Sequence, residues 1–189
     1  MKPKKCKAKG CGIAFTPQRM GQKACSPACA IELARAKKEQ AETRARSDAR
    51  KADRQKREEM KSVPQLIQEA QDAFNLFIRL RDDGGSCFTC GKPIKRGGVG
   101  GGFDAGHVRP RSAAPHLRFN EDNCHGQCKH CNAPGGTLPH VMRARAIERI
   151  GLDRYLALEN DNRVHKWQRD ELREIRDTYR AKARQLEKQ

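Results

Sequence analysis

The reading of the fold turns on Cys87-Phe-Thr-Cys90, Phe103-Asp-Ala-Gly-His107 and Asn123-Cys-His-Gly-Gln-Cys128-Lys-His-Cys131-Asn132. Cys87, Cys90, Cys128 and Cys131 form two Cys-x-x-Cys pairs, the spacing of a four-thiolate zinc site. A zinc ion held by both pairs would close the loop between Cys90 and Cys128. That staple would bring His107, Asn123 and Asn132 near one another.

A second cysteine set lies at the N-terminus. Cys6 and Cys11, then Cys25 and Cys29, repeat the paired spacing, with Phe15-Thr-Pro17 between them as a short strand and turn. Residues 1–34 therefore read as a treble-clef-like zinc finger whose last pair opens a helix. Eight of the nine cysteines fall into close pairs, as metal ligands do. Cys124 has no such partner and reads as a small buried residue. Two structural Zn2+ ions per chain are expected.

The rest of the chain is helical in pattern. Residues 35–61 hold eleven Lys/Arg and six Asp/Glu, with no Pro or Gly and no apolar stripe. They predict an exposed charged helix, a spacer or a basic arm along phosphates. Ser62-Val-Pro-Gln65 has the form of a capping box. Leu66, Ala70, Phe74 and Phe77 then recur at helical spacing up to Gly84-Gly85. Residues 97–102 are too rich in glycine for regular structure and lack the Lys-Ser/Thr of a P-loop; a mobile connection is expected there. Beyond Gly136, Val141, Ile147 and Ile150 mark one short helix, Tyr155, Leu156 and Leu158 another. Trp167, Leu172, Ile175, Tyr179 and Leu186 trace a stripe down a third. That stripe could dock on the preceding helices or pair two copies of the chain. The expected architecture is α+β and mostly helical, in four parts: finger 1–34, charged helix 35–61, zinc-stapled module 62–136 and helical region 137–189.

Composition narrows the function classes. The 189 residues carry 40 Lys/Arg against 23 Asp/Glu, a formal charge of +17, and only 36% are hydrophobic. So little apolar material favours small metal-stapled modules over one large core. So much positive charge favours a nucleic-acid partner, because Lys and Arg release the counterions condensed on phosphates. The nine aromatic residues form no single-strand stacking motif, which weighs against RNA. The opening Met1-Lys-Pro-Lys-Lys5 has no apolar run after it, and no stretch is long enough to span a bilayer. Reduced thiols and no membrane partner imply the interior of a cell.

The chemistry expected of residues 87–132 is phosphodiester hydrolysis. His107 is the candidate general base, since a neutral imidazole is available near pH 7. Asn123 could fix the imidazole or its backbone. Asn132 could offer its carbonyl oxygen to Mg2+ or Mn2+, and Asp104 a carboxylate. Arg109, Arg111 and Arg118 flank the site as phosphate clamps. On a strand, Asp104 and Gly106 face one side and His107 the other, unless the chain bends near Gly106. His116, His130 and His140 read as surface or phosphate-contacting residues.

Asp104-Ala-Gly-His107, Leu117-Arg-Phe-Asn-Glu-Asp-Asn123 and His125-Gly-Gln-Cys-Lys-His-Cys-Asn132 together resemble the HNH endonuclease superfamily, and within it the NinG/Rap proteins of lambdoid phages. The N-terminal cysteine-rich finger with its Phe-Thr-Pro run extends the resemblance along the whole chain. It implies a ββα-metal fold and a structure-specific DNA endonuclease of phage homologous recombination. Its substrates would be D-loops and Holliday junctions, its products 5′-phosphate and 3′-hydroxyl ends, and its place the host cytoplasm. Recombination proteins of host or phage, or a second copy, are the protein partners that reading leaves open. Many HNH sites carry an acidic metal ligand directly before the histidine; here that position is Gly106, so Asp104 or His125 would have to substitute. The alternative from another class is a non-catalytic zinc-finger accessory protein that binds DNA junctions.

Overall fold

The computed structural model describes residues 2–97 and 101–188, and the chain divides into two compact units, Met1–Met60 and Lys61–Gln189. Residues 98–100 of the glycine-rich connection lie outside the described residues.

In the first unit, strand β1 (Lys4–Lys5) pairs antiparallel with β2 (Ala14–Phe15). Helix α1 (Pro27–Met60) follows, with Pro27 at a position where the missing N–H costs nothing and Ser26 Oγ accepting from the Cys29 N–H at 3.3 Å. No residue of α1 is buried. The core is a small cluster of Cys6, Ala8 and Ala24, flanked by Cys11, Phe15, Cys25, Cys29 and Leu33. The expected division at residue 34 is not a break in structure: with no Pro or Gly until beyond Met60, the finger's helix and the charged segment form one rod of about 51 Å.

In the second unit, α2 (Val63–Arg81) begins at the Ser62/Gln65 capping box and buries Leu66, Ala70, Phe74, Phe77 and Ile78. The strands β3 (Phe103–His107) and β4 (Cys124–Cys128) form an antiparallel hairpin, with Asp104 opposite Gln127 and Gly106 opposite His125. The short α3 (Lys129–Asn132) follows at once. Then come α4 (Pro139–Ile150), α5 (Leu152–Asn160) and α6 (Arg169–Leu186). Gly151, at φ +84°, makes the reversal between α4 and α5, where an L side chain would be strained. The result is a mostly helical α+β architecture with two small sheets.

The apolar stripe of α6 docks on α2. Leu172, Tyr179 and Ala183 are buried there with Phe74, Phe77 and Ile78, and the Tyr179 ring meets Phe74 edge-on at 4.7 Å. Arg176, itself buried, pairs with Glu69 at 2.8 Å. The stripe is thus covered within the chain, and Val164, before α6 begins, is fully exposed. The C-terminal end of α2 clamps the hairpin: Asp82 accepts from the Gly126 N–H at 2.7 Å, and Arg81 donates to the Cys124 carbonyl at 2.9 Å. Among the described residues, no helix is long and apolar enough to cross a membrane.

Candidate functional site: a hairpin between two helices

Both cysteine sets converge. Cys6, Cys11, Cys25 and Cys29 form one cluster, and Cys87, Cys90, Cys128 and Cys131 another, with the sulfurs of each within 4.8 Å of one another. Tetrahedral zinc with Zn–S bonds near 2.3 Å sets its sulfurs about 3.8 Å apart. Cys11 and Cys25 stand at 3.6 Å, Cys25 and Cys29 at 3.8 Å, and Cys90 and Cys128 at 3.8 Å. Both clusters could hold structural zinc. The electrostatics agree. Burial raises the Cys87 thiol, but N–H groups of Cys90, Cys128 and Thr89 outweigh it and bring the pKa to about 7. The Ala8 N–H does the same for Cys6, also to about 7. Cys25 is pushed up to about 12 by Cys11 and by burial, and Cys131 to about 12 by burial and its neighbouring sulfurs. Four sulfurs so close cannot all ionise without a cation among them.

The hairpin carries the other residues on its two faces. β3 runs straight through Gly106, so strand alternation holds. Ala105 packs on the α2/α6 core, and the His107 ring lies 6.4 Å from that of Phe74. Asp104, on the opposite face, meets α3: it pairs with Lys129 and accepts from Asn132 Nδ2 at 3.2 Å. His107 and the Asp104/Asn132 pair therefore approach β3 from different sides rather than meeting in one pocket.

His107 is half-buried, and its Nε2 lies 3.0 Å from the Arg118 carbonyl. A carbonyl only accepts, so Nε2 carries the proton and Nδ1 keeps its lone pair in the neutral ring. The Cys124 sulfur sits 3.8 Å from Nδ1. Burial, joined by the cations of Arg111 and Arg118, lowers the His107 pKa despite the Arg118 carbonyl. Burial and Arg111 likewise lower the pKa of Arg118. Arg111 is exposed, and neither guanidinium has a carboxylate partner among the described residues. The Nδ1 lone pair thus faces the Cys124 thiol, and two guanidiniums with no carboxylate partner among the described residues add positive charge nearby.

Asn123 is fully buried but does not touch the imidazole. Its Oδ1 accepts from the Arg109 N–H at 2.8 Å, and its Nδ2 donates to the carbonyls of Arg109 at 3.2 Å and Leu117 at 3.1 Å. It staples both ends of the loop whose Arg118 carbonyl holds His107, and so bears on the imidazole through that loop.

Three expectations are corrected. Arg109 is no phosphate clamp: its guanidinium donates to the carbonyls of Leu158 at 2.6 Å, Glu159 at 3.1 Å and Asp161 at 2.6 Å at the end of α5. His125 is no metal ligand, because both its nitrogens are engaged. Nε2 donates to the Asp122 carbonyl at 2.9 Å, Nδ1 lies 3.4 Å from Arg81 Nη2, and the ring stacks on Phe88 at 4.4 Å. His116 is no surface residue; it pairs with Asp161 at 3.3 Å. His130 and His140 are exposed as expected, and Cys124 is fully buried, its thiol held protonated by that burial.

Two residues escaped the sequence reading. A Cβ on Gly106 would overlap Gln127 Oε1 and lie 2.9 Å from Asn132 Oδ1. Two amide oxygens therefore converge where HNH sites carry an acid. Gln127 is 2% exposed, and its Nε2 donates to Thr89 Oγ1, between the zinc-type cysteines Cys87 and Cys90. The missing acid at Gly106 was the available signal; the cross-strand residue that fills the gap was not. Oxygen donors gathered around a bare glycine fit a hard divalent ion.

The family model described as Bacteriophage Lambda NinG protein matches residues 1–189. The chain is 34% identical to Protein ninG of Salmonella phage P22, over 97% of this chain and 93% of that protein. It is 33% identical to Protein ninG of Escherichia phage lambda, with the same coverage. The 38% identity to Protein ninG of Escherichia phage 933W covers 64% of this chain and 57% of that one. No solved structure matches. The chain belongs to the NinG family.

Proposed function

We propose that this chain is a divalent-metal-dependent, HNH-like DNA endonuclease that cuts branched recombination intermediates such as D-loops and Holliday junctions. The observation that carries the reading is His107: its tautomer is set by the Arg118 carbonyl, its pKa is lowered, and two unpaired guanidiniums stand beside it. A base of this kind is neutral at working pH and sits where a phosphate would be drawn.

The two-faced hairpin suits in-line displacement, in which attacking and leaving oxygens lie on opposite sides of phosphorus. Among the described residues β3 pairs only with β4, and the reading brings the phosphate to its other edge. From one face the His107 imidazole, once Nδ1 turns from the Cys124 thiol, takes a proton from water. From the other, Asn132 Oδ1 is a donor for Mg2+ or Mn2+, and the Asp104 carboxylate, engaged by Lys129 and Asn132 Nδ2, holds that amide in place. Bound there, the ion would supply positive charge to the phosphate and the departing 3′ oxygen. Arg111 and Arg118 hold the phosphate, and Asn123 holds the loop that orients His107. Selectivity for branches rests on the family resemblance alone.

The test is a nicking assay on a labelled four-way junction and a matched duplex, with and without Mg2+. His107→Ala is expected to lower cleavage by about 10²–10⁴-fold, the range of a lost general base, with DNA binding retained. For the wild type, cleavage should rise with pH and level off once the imidazole is neutral. Because the His107 pKa is lowered, the midpoint of that rise should lie below 6.5, the ordinary histidine value. Tight junction binding without metal-dependent cleavage would instead identify an accessory factor.

A further inference from the structure

Gln127 is an unusual residue to find sealed in a strand of a hairpin. Glutamine has four polar positions to satisfy, and burying it without partners is costly. Its Nε2 donates to Thr89 Oγ1, which turns its Oε1 the other way. That oxygen is aimed at the bare face of Gly106, beside Asn132 Oδ1. Asn132 is oriented in the same sense, because its Nδ2 is held by Asp104, whose other oxygen is taken by Lys129. Gly106 is not glycine for its backbone: it does not lie among the positive-φ glycines. It is glycine for room, since any side chain there would displace the Gln127 amide.

Resting on the nuclease reading, we propose that Gln127 Oε1 and Asn132 Oδ1 are paired ligands of the divalent ion, with Gln127 replacing the acid absent at Gly106. Asp104 is then a positioning residue that turns the Asn132 amide. Hard divalent ions accept carbonyl oxygens as ligands. Two neutral amides attract a cation less than a carboxylate does, so the bare protein should hold the ion weakly and gain affinity when a phosphate adds charge. Thr89 lies inside the Cys87/Cys90 knuckle, so the structural zinc cluster also fixes this ligand.

The experiment titrates Mn2+ into the zinc-loaded full chain and reads free Mn2+ by electron paramagnetic resonance. Asn132→Ala defines the binding that belongs to this face. Gln127→Ala should weaken that binding by about tenfold or more, as loss of a metal-supporting group does. Gln127→Glu, nearly isosteric and able to accept from the Thr89 hydroxyl in place of donating to it, should tighten it by a similar factor. Zinc content and circular dichroism of each variant report folding, and Gln127→Glu keeps the test decisive if Gln127→Ala fails to fold. Wild-type Mn2+ binding in both Gln127 variants, or no Asn132-dependent binding at all, overturns the proposal. Those outcomes leave the nuclease reading to His107→Ala, whose result does not depend on Gln127.

Discussion

The two four-cysteine clusters share their ligand set and differ in what stands behind them. The Cys6/Cys11/Cys25/Cys29 cluster is nearly the whole interior of its unit: two two-residue strands and a helix with nothing buried surround it. The Cys87/Cys90/Cys128/Cys131 cluster packs against Ile94 and Phe103, in a unit that also owns the α2/α6 core. In the first unit a bound zinc would stand in for a core. In the second it would act as a local clamp beside one, and the residues beside that clamp are those proposed to bind the divalent ion. Gln127 adjoins Cys128, Asn132 adjoins Cys131, and Thr89 lies between Cys87 and Cys90.

That contrast is most exposed to paired cysteine variants. Cys25→Ser should abolish zinc in the first unit and melt its short hairpin, read as loss of dispersed NMR amide signals from residues 2–26. The second unit should keep its folded spectrum. Cys128→Ser should leave the α2/α6 core folded yet lower junction cleavage by about 10²-fold or more, since positioned catalytic groups lose that much when displaced slightly. Equal loss of structure in both units would erase the distinction.

A smaller effect tests the core-backed unit by pH. Burial drives the His125 pKa down to about 4, against an ordinary value of 6.5. Folding thus favours the neutral ring, and stability from this group is complete above pH 6.5. It is lost as pH falls from 6.5 through 4, where the unfolded chain binds the extra proton. The total is about 3 kcal/mol in order of magnitude. Urea denaturation of the second unit at pH 7 and pH 4.5 should show most of that loss, and His125→Phe should remove much of the pH dependence. The smallest effect belongs to α1. Arg57 and Asp53 pair at 3.0 Å on a fully solvated helix, so Arg57→Ala should cost no more than about 0.5 kcal/mol of helix stability by circular dichroism.

Local signals were readable in the sequence and long-range ones were not. Cysteine spacing located both clusters, and the Leu66/Ala70/Phe74/Phe77 stripe with its Ser62 cap located α2, because each is written within one or two turns of chain. The opposite facing of Asp104 and His107 followed from strand alternation. The roles of Arg109, His125 and Gln127 depended on contacts far along the chain: Arg109 with α5, His125 with Phe88 and Arg81, and Gln127 with Thr89. Side-chain type alone gave Arg109 to phosphate and His125 to metal, while the hydrogen-bond network gave both to structure. Asn123 was expected to fix the imidazole or its backbone, and its partners are backbone groups of Arg109 and Leu117, which no spacing rule exposes.

Arg109 also bears on where a minimal working fragment could end. The loop that follows the catalytic strand is fastened at its start to the carbonyls closing α5, and Tyr179 of α6 donates to the Phe119 carbonyl at 3.3 Å, near its finish. Cutting the chain after Asn132 would keep every cysteine and every proposed catalytic side chain. It would also free the segment that aims the imidazole. The helices after the last zinc-type cysteine would be scaffolding for the proposed reaction centre, and a trimmed version should bind metal yet aim poorly.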